Sequence, residues 1–210
     1  MTSPREKQSP ISPPRLTWEY IRNQAEQFRQ KYVKPPDLIP VPIDKIIEMD
    51  LRLYIIPIAN LKEKIDMDGF LTNDLTGICV DCALYMDDRR SNRCRFTLAH
   101  EVGHLILHEK EIKRCRFRRP EEWIHFREDF EEEDLAWFEN QANEFAGRLL
   151  VPKDKLLKEV DGLKDKIAKF KKMSPEWPEL SEVISRLLSG KFGVSWEVIQ
   201  KRILKERISI

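Results

Sequence analysis

Apolar positions along the chain follow two different periods. From Leu16 onward, Trp18, Ile21, Ala25, Phe28 and Tyr32 recur at helical spacing and stop before Pro35-Pro36, which predicts an amphipathic helix. Pro42 to Met49 predicts a shorter helix with proline in its first turn. Leu51 to Ile58, Gly69 to Thr72 and Thr76 to Tyr85 are rich in branched and aromatic residues and predict strands, antiparallel where Asn73-Asp74 makes a turn. Phe96 to His108 predicts a buried helix, and Leu135 to Leu150 a second one ending at Val151-Pro152. Two more helices are expected over 179–189 and 195–206. In the first, Leu180, Val183, Ile184, Leu187 and Leu188 form one apolar stripe that Gly190 ends; Ser195 can cap the second. The expected fold is α+β: a small, mainly antiparallel sheet packed with helices, plus a C-terminal helical segment.

The polar residues divide this pattern. Residues 1–15 hold four prolines and three serines with almost nothing apolar, and are expected to form a disordered tail. Residues 16–170 read as one domain, interrupted at 109–134 by a charged insertion that is basic at Lys113 to Arg119 and acidic at Glu128 to Asp134. Residues 171–210 read as a helical pair. Within it, Leu188-Ser-Gly-Lys-Phe-Gly-Val-Ser followed by Trp196-Glu-Val-Ile-Gln-Lys-Arg-Ile resembles a DNA-binding helix-turn-helix, with Lys191, Lys201, Arg202, Lys205 and Arg207 as a basic face. Packing of this pair on the preceding domain, or docking of a protein substrate by it, is the favoured alternative, because one short motif without a third helix seldom makes a stable DNA reader.

Composition narrows the partners. Lys plus Arg (37) nearly cancels Asp plus Glu (36), so no global field draws the molecule to nucleic acid or to an anionic membrane. No apolar run approaches the roughly 18 residues that span a bilayer, and no signal peptide is evident at Met1. A cytoplasmic protein without a membrane partner is expected. Its four cysteines, Cys79, Cys82, Cys94 and Cys115, would then stay reduced. Cys79-Val-Asp-Cys82 has the spacing of half a structural zinc site. Residues three apart in a strand face opposite sides, however, so buried small hydrophobes are the default reading.

The chemistry concentrates in Phe96 to His108. His100 and His104, four apart on a helix, can direct ring nitrogens at one metal ion, with Glu101 beside them as general base. At about 100° per residue, Thr97, His100, Glu101, His104 and His108 share one sector of a helix otherwise apolar or glycine, and burying them together demands a metal or partners. A catalytic zinc takes about three protein ligands. Glu139-Asn-Gln-Ala-Asn-Glu144 on the next strong helix offers two carboxylates. Glu139 lies about 70° from the centre of that helix's apolar face and Glu144 about 150° away. Glu139 is therefore the expected ligand, Glu144 is expected in solvent, and Asn143 is expected to support the site. His108 and His125 are further candidates for hydrogen bonding or substrate contact.

Phe96-Thr-Leu-Ala-His-Glu-Val-Gly-His-Leu-Ile-Leu-His together with Glu139-Asn-Gln-Ala-Asn-Glu-Phe-Ala-Gly-Arg-Leu-Leu-Val-Pro resembles the ImmA/IrrE family of zinc metallopeptidases. The resemblance implies a thermolysin-like centre in a small α+β domain, one zinc held by His100, His104 and Glu139, catalysis by Glu101, and a helix-turn-helix transcriptional repressor as protein substrate. The chain departs from the family in its long charged insertion and in Val151, where methionine is common. The alternative is a DNA- or protein-binding regulator, such as a toxin-antitoxin or stress-response component, whose zinc is a sensor or structural element.

Overall fold

A computed structural model describes residues 12–114, 127, 130–173 and 177–210. Helix α1 (Trp18–Tyr32) begins where the Thr17 hydroxyl accepts the Tyr20 N–H and buries Ile21, Ala25 and Phe28. Before it, residues 12–15 run against a later helix: Pro13 is buried, and Ser12 and Arg15 both bond Asp134. Residues 1–11 of the expected tail lie outside the described residues. The short helix α2 (Ile43–Lys45) continues into a wider turn over Ile46–Asp50, within the segment expected to be helical.

Strands β1 (Tyr54–Ile58), β2 (Gly69–Leu71) and β3 (Gly77–Asp81) form a sheet of order β1-β3-β2, with helix α3 (Leu61–Ile65) between β1 and β2 in the chain. The sheet is mixed, which corrects the mainly antiparallel expectation. β2 pairs antiparallel with β3, but β1 lies parallel to β3 over Tyr54↔Gly77 to Ile58↔Asp81. The turn at Asn73-Asp74 fixes only the hairpin, where Asp74 accepts from the Thr72 hydroxyl and from the Thr76 hydroxyl and backbone N–H. The β1 connection, having room for α3, brings the chain back to the far edge of β3. β3 is buried at every position, as a central strand covered by helices should be. It stops at Asp81, whose carboxylate caps α4 (Cys82–Tyr85) through the Leu84 N–H and also accepts the Lys62 N–H; the strand expected to reach Tyr85 is therefore shorter.

Helix α5 (Ser91–Leu107) crosses β2 and packs along α7 (Glu132–Leu150), with α6 (Glu109–Arg114) between them in sequence. Three acidic residues in the first turn of α7, Glu132, Glu133 and Asp134, suit its positive N-terminal end. The two helices approach so closely at Gly103 that a Cβ there would stand 3.0 Å from the Ala142 carbonyl oxygen. Helices α8 (Lys153–Asp161), α9 (Lys164–Met173), α10 (Trp177–Phe192) and α11 (Trp196–Lys205) follow. Gly190 lies inside α10, not at its end. The chain turns instead at Gly193, where φ is +62°.

The last helix α11 packs on α7, which corrects the placing of Glu144 in solvent. Glu144 is buried and bonded to Arg148 at 2.6 Å and to Lys205 of α11, with Arg202 at 3.8 Å. Three of the five residues in the expected basic face are thereby engaged within the fold: Lys191 with Glu159, Arg202 with Glu206, and Lys205 with Glu144. No helix among the described residues is long and apolar enough to cross a membrane.

Candidate metal centre

Two successive turns of α5 present His100 and His104, His108 follows at its C-terminal end, and the facing side of α7 presents Glu139, Gln141 and Asn143. The Nε2 atoms of His100 and His104 lie 2.9 Å apart, and a Glu139 carboxylate oxygen stands 3.2 Å from the first and 4.0 Å from the second. A tetrahedral zinc with ligands at 2.0–2.2 Å requires donors about 3.3 Å apart, so the three spacings bracket what a metal needs. All three donor atoms fall within 4.8 Å of one another, the only such group of three His, Cys, Asp or Glu found among the described residues.

The remaining ring nitrogens are also occupied. His100 Nδ1 meets Asn143 Oδ1 at 3.0 Å, His104 Nδ1 meets His108 Nδ1 at 3.0 Å, and His108 Nε2 meets Gln141 Oε1 at 3.1 Å. Phe138 holds two of the rings, its centroid 4.3 Å from those of His104 and His108. Metal-binding histidines characteristically have the second nitrogen bound in this way, which fixes ring orientation and tautomer.

Burial and charge set the protonation states. Burial pushes His104 well below its usual value, aided by the other two histidines, and takes His108 down to about 4, against the Gln141 hydrogen bond; both are neutral imidazoles. Burial acts the same way on His100, but the Glu139 hydrogen bond and the charges of Glu101 and Glu139 overcome it and raise His100 to about 9. Without metal, His100 thus carries a proton that a metal ion must displace. Glu101 is 4% exposed, and burial, assisted by the Glu139 charge, lifts its carboxyl to about 7 against the pull of His100 and the Leu71 N–H. A carboxylate poised near neutrality suits a general base.

A groove of about 880 Å³ opens beside Asn140 and Asn143, between α5, α7 and α11, with Phe96, Val198 and Lys201 among its walls. His100, Glu101, His104 and Glu139 do not line it; it adjoins the site through Asn143, on the Nδ1 side of His100.

The geometry brings together His100, Glu101, His104, Glu139, Asn143 and His108 from the expected set. His125 and Cys115 lie outside the described residues. Cys79 and Cys94 are buried and Cys82 is partly exposed at the start of α4; none joins a metal-binding group among the described residues. Sequence reasoning missed Gln141 and Phe138. Gln141 had a signal: it is a polar residue three positions after Phe138 on the apolar side of α7, and it is fully buried.

No curated protein matches the chain. The family model Peptidase M78, described as the IrrE N-terminal-like domain, matches residues 81–204, well over half of the 210 residues. That match spans both helices carrying the donor atoms, and the chain belongs to this family of peptidases.

Proposed function

We propose that the chain is a zinc-dependent endopeptidase of restricted specificity, with His100, His104 and Glu139 holding the metal, Glu101 as general base, and a helix-turn-helix repressor as substrate. The observation carrying this reading is the convergence of the three donor atoms beside a buried carboxylate. Zinc held there supplies Lewis acidity, polarising a carbonyl and bringing the ionisation of water towards neutrality. The carboxylate of Glu101 takes the proton from the attacking water and hands it to the departing amide nitrogen. In the metal-free site burial, assisted by the Glu139 charge, raises the Glu101 carboxyl to about 7.

The groove adjoins the site only through Asn143, and its lining would suit a polypeptide. Asn140 and Asn143 offer amides to a main chain, Phe96 and Val198 an apolar wall, and Lys201 a cation on its rim. The repressor as substrate rests on the family resemblance. The engagement of Lys191, Arg202 and Lys205 within the fold favours a packing role for the C-terminal helices over DNA reading.

Co-expression with the repressor encoded beside its gene, followed by sequencing of fragments, tests the proposal. The wild type should produce discrete cuts, and Glu101→Gln should bind zinc yet leave the repressor intact. Cutting by Glu101→Gln at the normal rate would eliminate the mechanism.

A further inference from the structure

We propose that the backbone carbonyl of Pro14 determines, through Gln141 and His108, which nitrogen of His104 is free to hold the metal. Gln141 and His108 are thus positioning residues, and the N-terminal segment before α1 is part of the metal centre. The inference rests on the metal-site reading above.

A carbonyl oxygen only accepts, so the Gln141 atom 2.8 Å from Pro14 O is the amide nitrogen, donating. The amide orientation is thereby fixed, and Oε1 faces His108 Nε2 at 3.1 Å. That oxygen also only accepts, so His108 carries its proton on Nε2. A neutral His108 then has its lone pair on Nδ1, which accepts from His104 Nδ1–H at 3.0 Å. With its proton on Nδ1, His104 is left with a free lone pair on Nε2, the atom facing His100 and Glu139.

The two histidine links are buried, and the Gln141–Pro14 bond is partly so. His108 and Gln141 are both fully buried, so reversing the amide would set Oε1 against the Pro14 carbonyl and leave His108 Nε2–H facing a donor. Such a buried mismatch costs about 1–3 kcal/mol. The starting carbonyl is itself tethered. Pro13 is buried, and Arg15 bonds Asp134 at 2.7 Å and lies over the Trp137 ring. The same helix α7 therefore holds the N-terminal segment, receives its polarity at Gln141 and carries Glu139.

Long-range proton–nitrogen NMR on the uniformly labelled, zinc-loaded full chain reads the tautomers directly. The wild type should show His108 protonated at Nε2 and His104 at Nδ1. Gln141→Leu should lose the single His108 tautomer and raise the zinc dissociation constant, read by chelator competition, about 10–100-fold. His108→Phe, which retains an aromatic ring against Phe138, should weaken zinc as Gln141→Leu does. A wild-type His108 protonated at Nδ1 overturns the relay even if every variant misfolds, as does a Gln141→Leu protein unchanged in both readouts. A wild type that takes up no zinc overturns the metal centre itself and the relay with it.

Discussion

Gly103 sits between the two metal-facing histidines, and Gly103→Ala asks whether the α5–α7 approach holds the site together. A new Cβ would lie 3.0 Å from the Ala142 carbonyl oxygen, 3.1 Å from its Cα and 3.3 Å from a Phe145 ring carbon. The first two are backbone atoms of α7 and cannot rotate away. The helices must therefore part by a few tenths of an ångström, where metal–ligand distances tolerate about 0.2 Å. Because His100 and His104 ride on α5 and Glu139 on α7, the separation falls on the contacts now at 3.2 and 4.0 Å. Alanine gains up to about 1 kcal/mol over glycine in helix propensity, whereas overpacking costs about 1–3 kcal/mol. The expected net is a loss of roughly 1 kcal/mol of stability without metal and about tenfold weaker zinc binding. Urea unfolding of the metal-free protein and chelator competition measure the two effects. A stabilised Gly103→Ala protein with unchanged zinc affinity would refute the close approach as the support of the site.

Charge and backbone set four further expectations. Glu144→Ala leaves the buried Arg202 guanidinium short of a partner and should cost about 3 kcal/mol in urea unfolding; a change within about 0.5 kcal/mol removes Glu144 from the account. Burial opposes its ionisation, but Lys205, Arg148 and Arg202 hold the folded Glu144 carboxyl below its usual value. Its contribution is therefore present above the unfolded pKa near 4.3 and lost as pH falls through the folded value, so Glu144→Gln should flatten the acid unfolding profile below about pH 4.3. His100, raised to about 9 when metal-free, has the opposite sign: its stabilisation is present below about 6.5 and lost as pH rises through 9. Zinc should accordingly release about one proton from His100 at pH 7.5, read by calorimetry in buffers of different ionisation enthalpy, and no release would contradict a protonated His100. Gly193→Ala forces a side chain to φ +62° with its Cβ 2.8 Å from Arg95 Nε, and should lower stability by more than about 1 kcal/mol. An unchanged unfolding midpoint would show that the loop rearranges freely.

The clustering of His100, His104 and Glu139 was legible because its geometry is local. His100 and His104 are four residues apart on one helix, and Glu139 could be placed by its angle from the apolar face of α7. Glu144 was misjudged by the same rule, which assumes that a helix has one covered side. α11 covers the second side through Lys205, 61 residues away in sequence, and no periodicity within α7 encodes that contact. Strand direction was hidden for a related reason. The branched and aromatic run Leu51 to Ile58 marks a strand, but the parallel pairing of β1 depends on a connection that could have closed either way. Gln141 was readable in principle as a polar residue in an apolar stripe; its partner Pro14 was not, because 127 residues separate them.

The central claim is that His100, His104 and Glu139 hold one metal ion beside Glu101. Elemental analysis of the purified wild type, Glu101→Gln and Glu139→Ala proteins tests it most directly. About one zinc per chain is expected in the first two, with most of it lost in the third. A wild type without zinc, or a Glu139→Ala protein that retains it with unchanged affinity, would contradict the account.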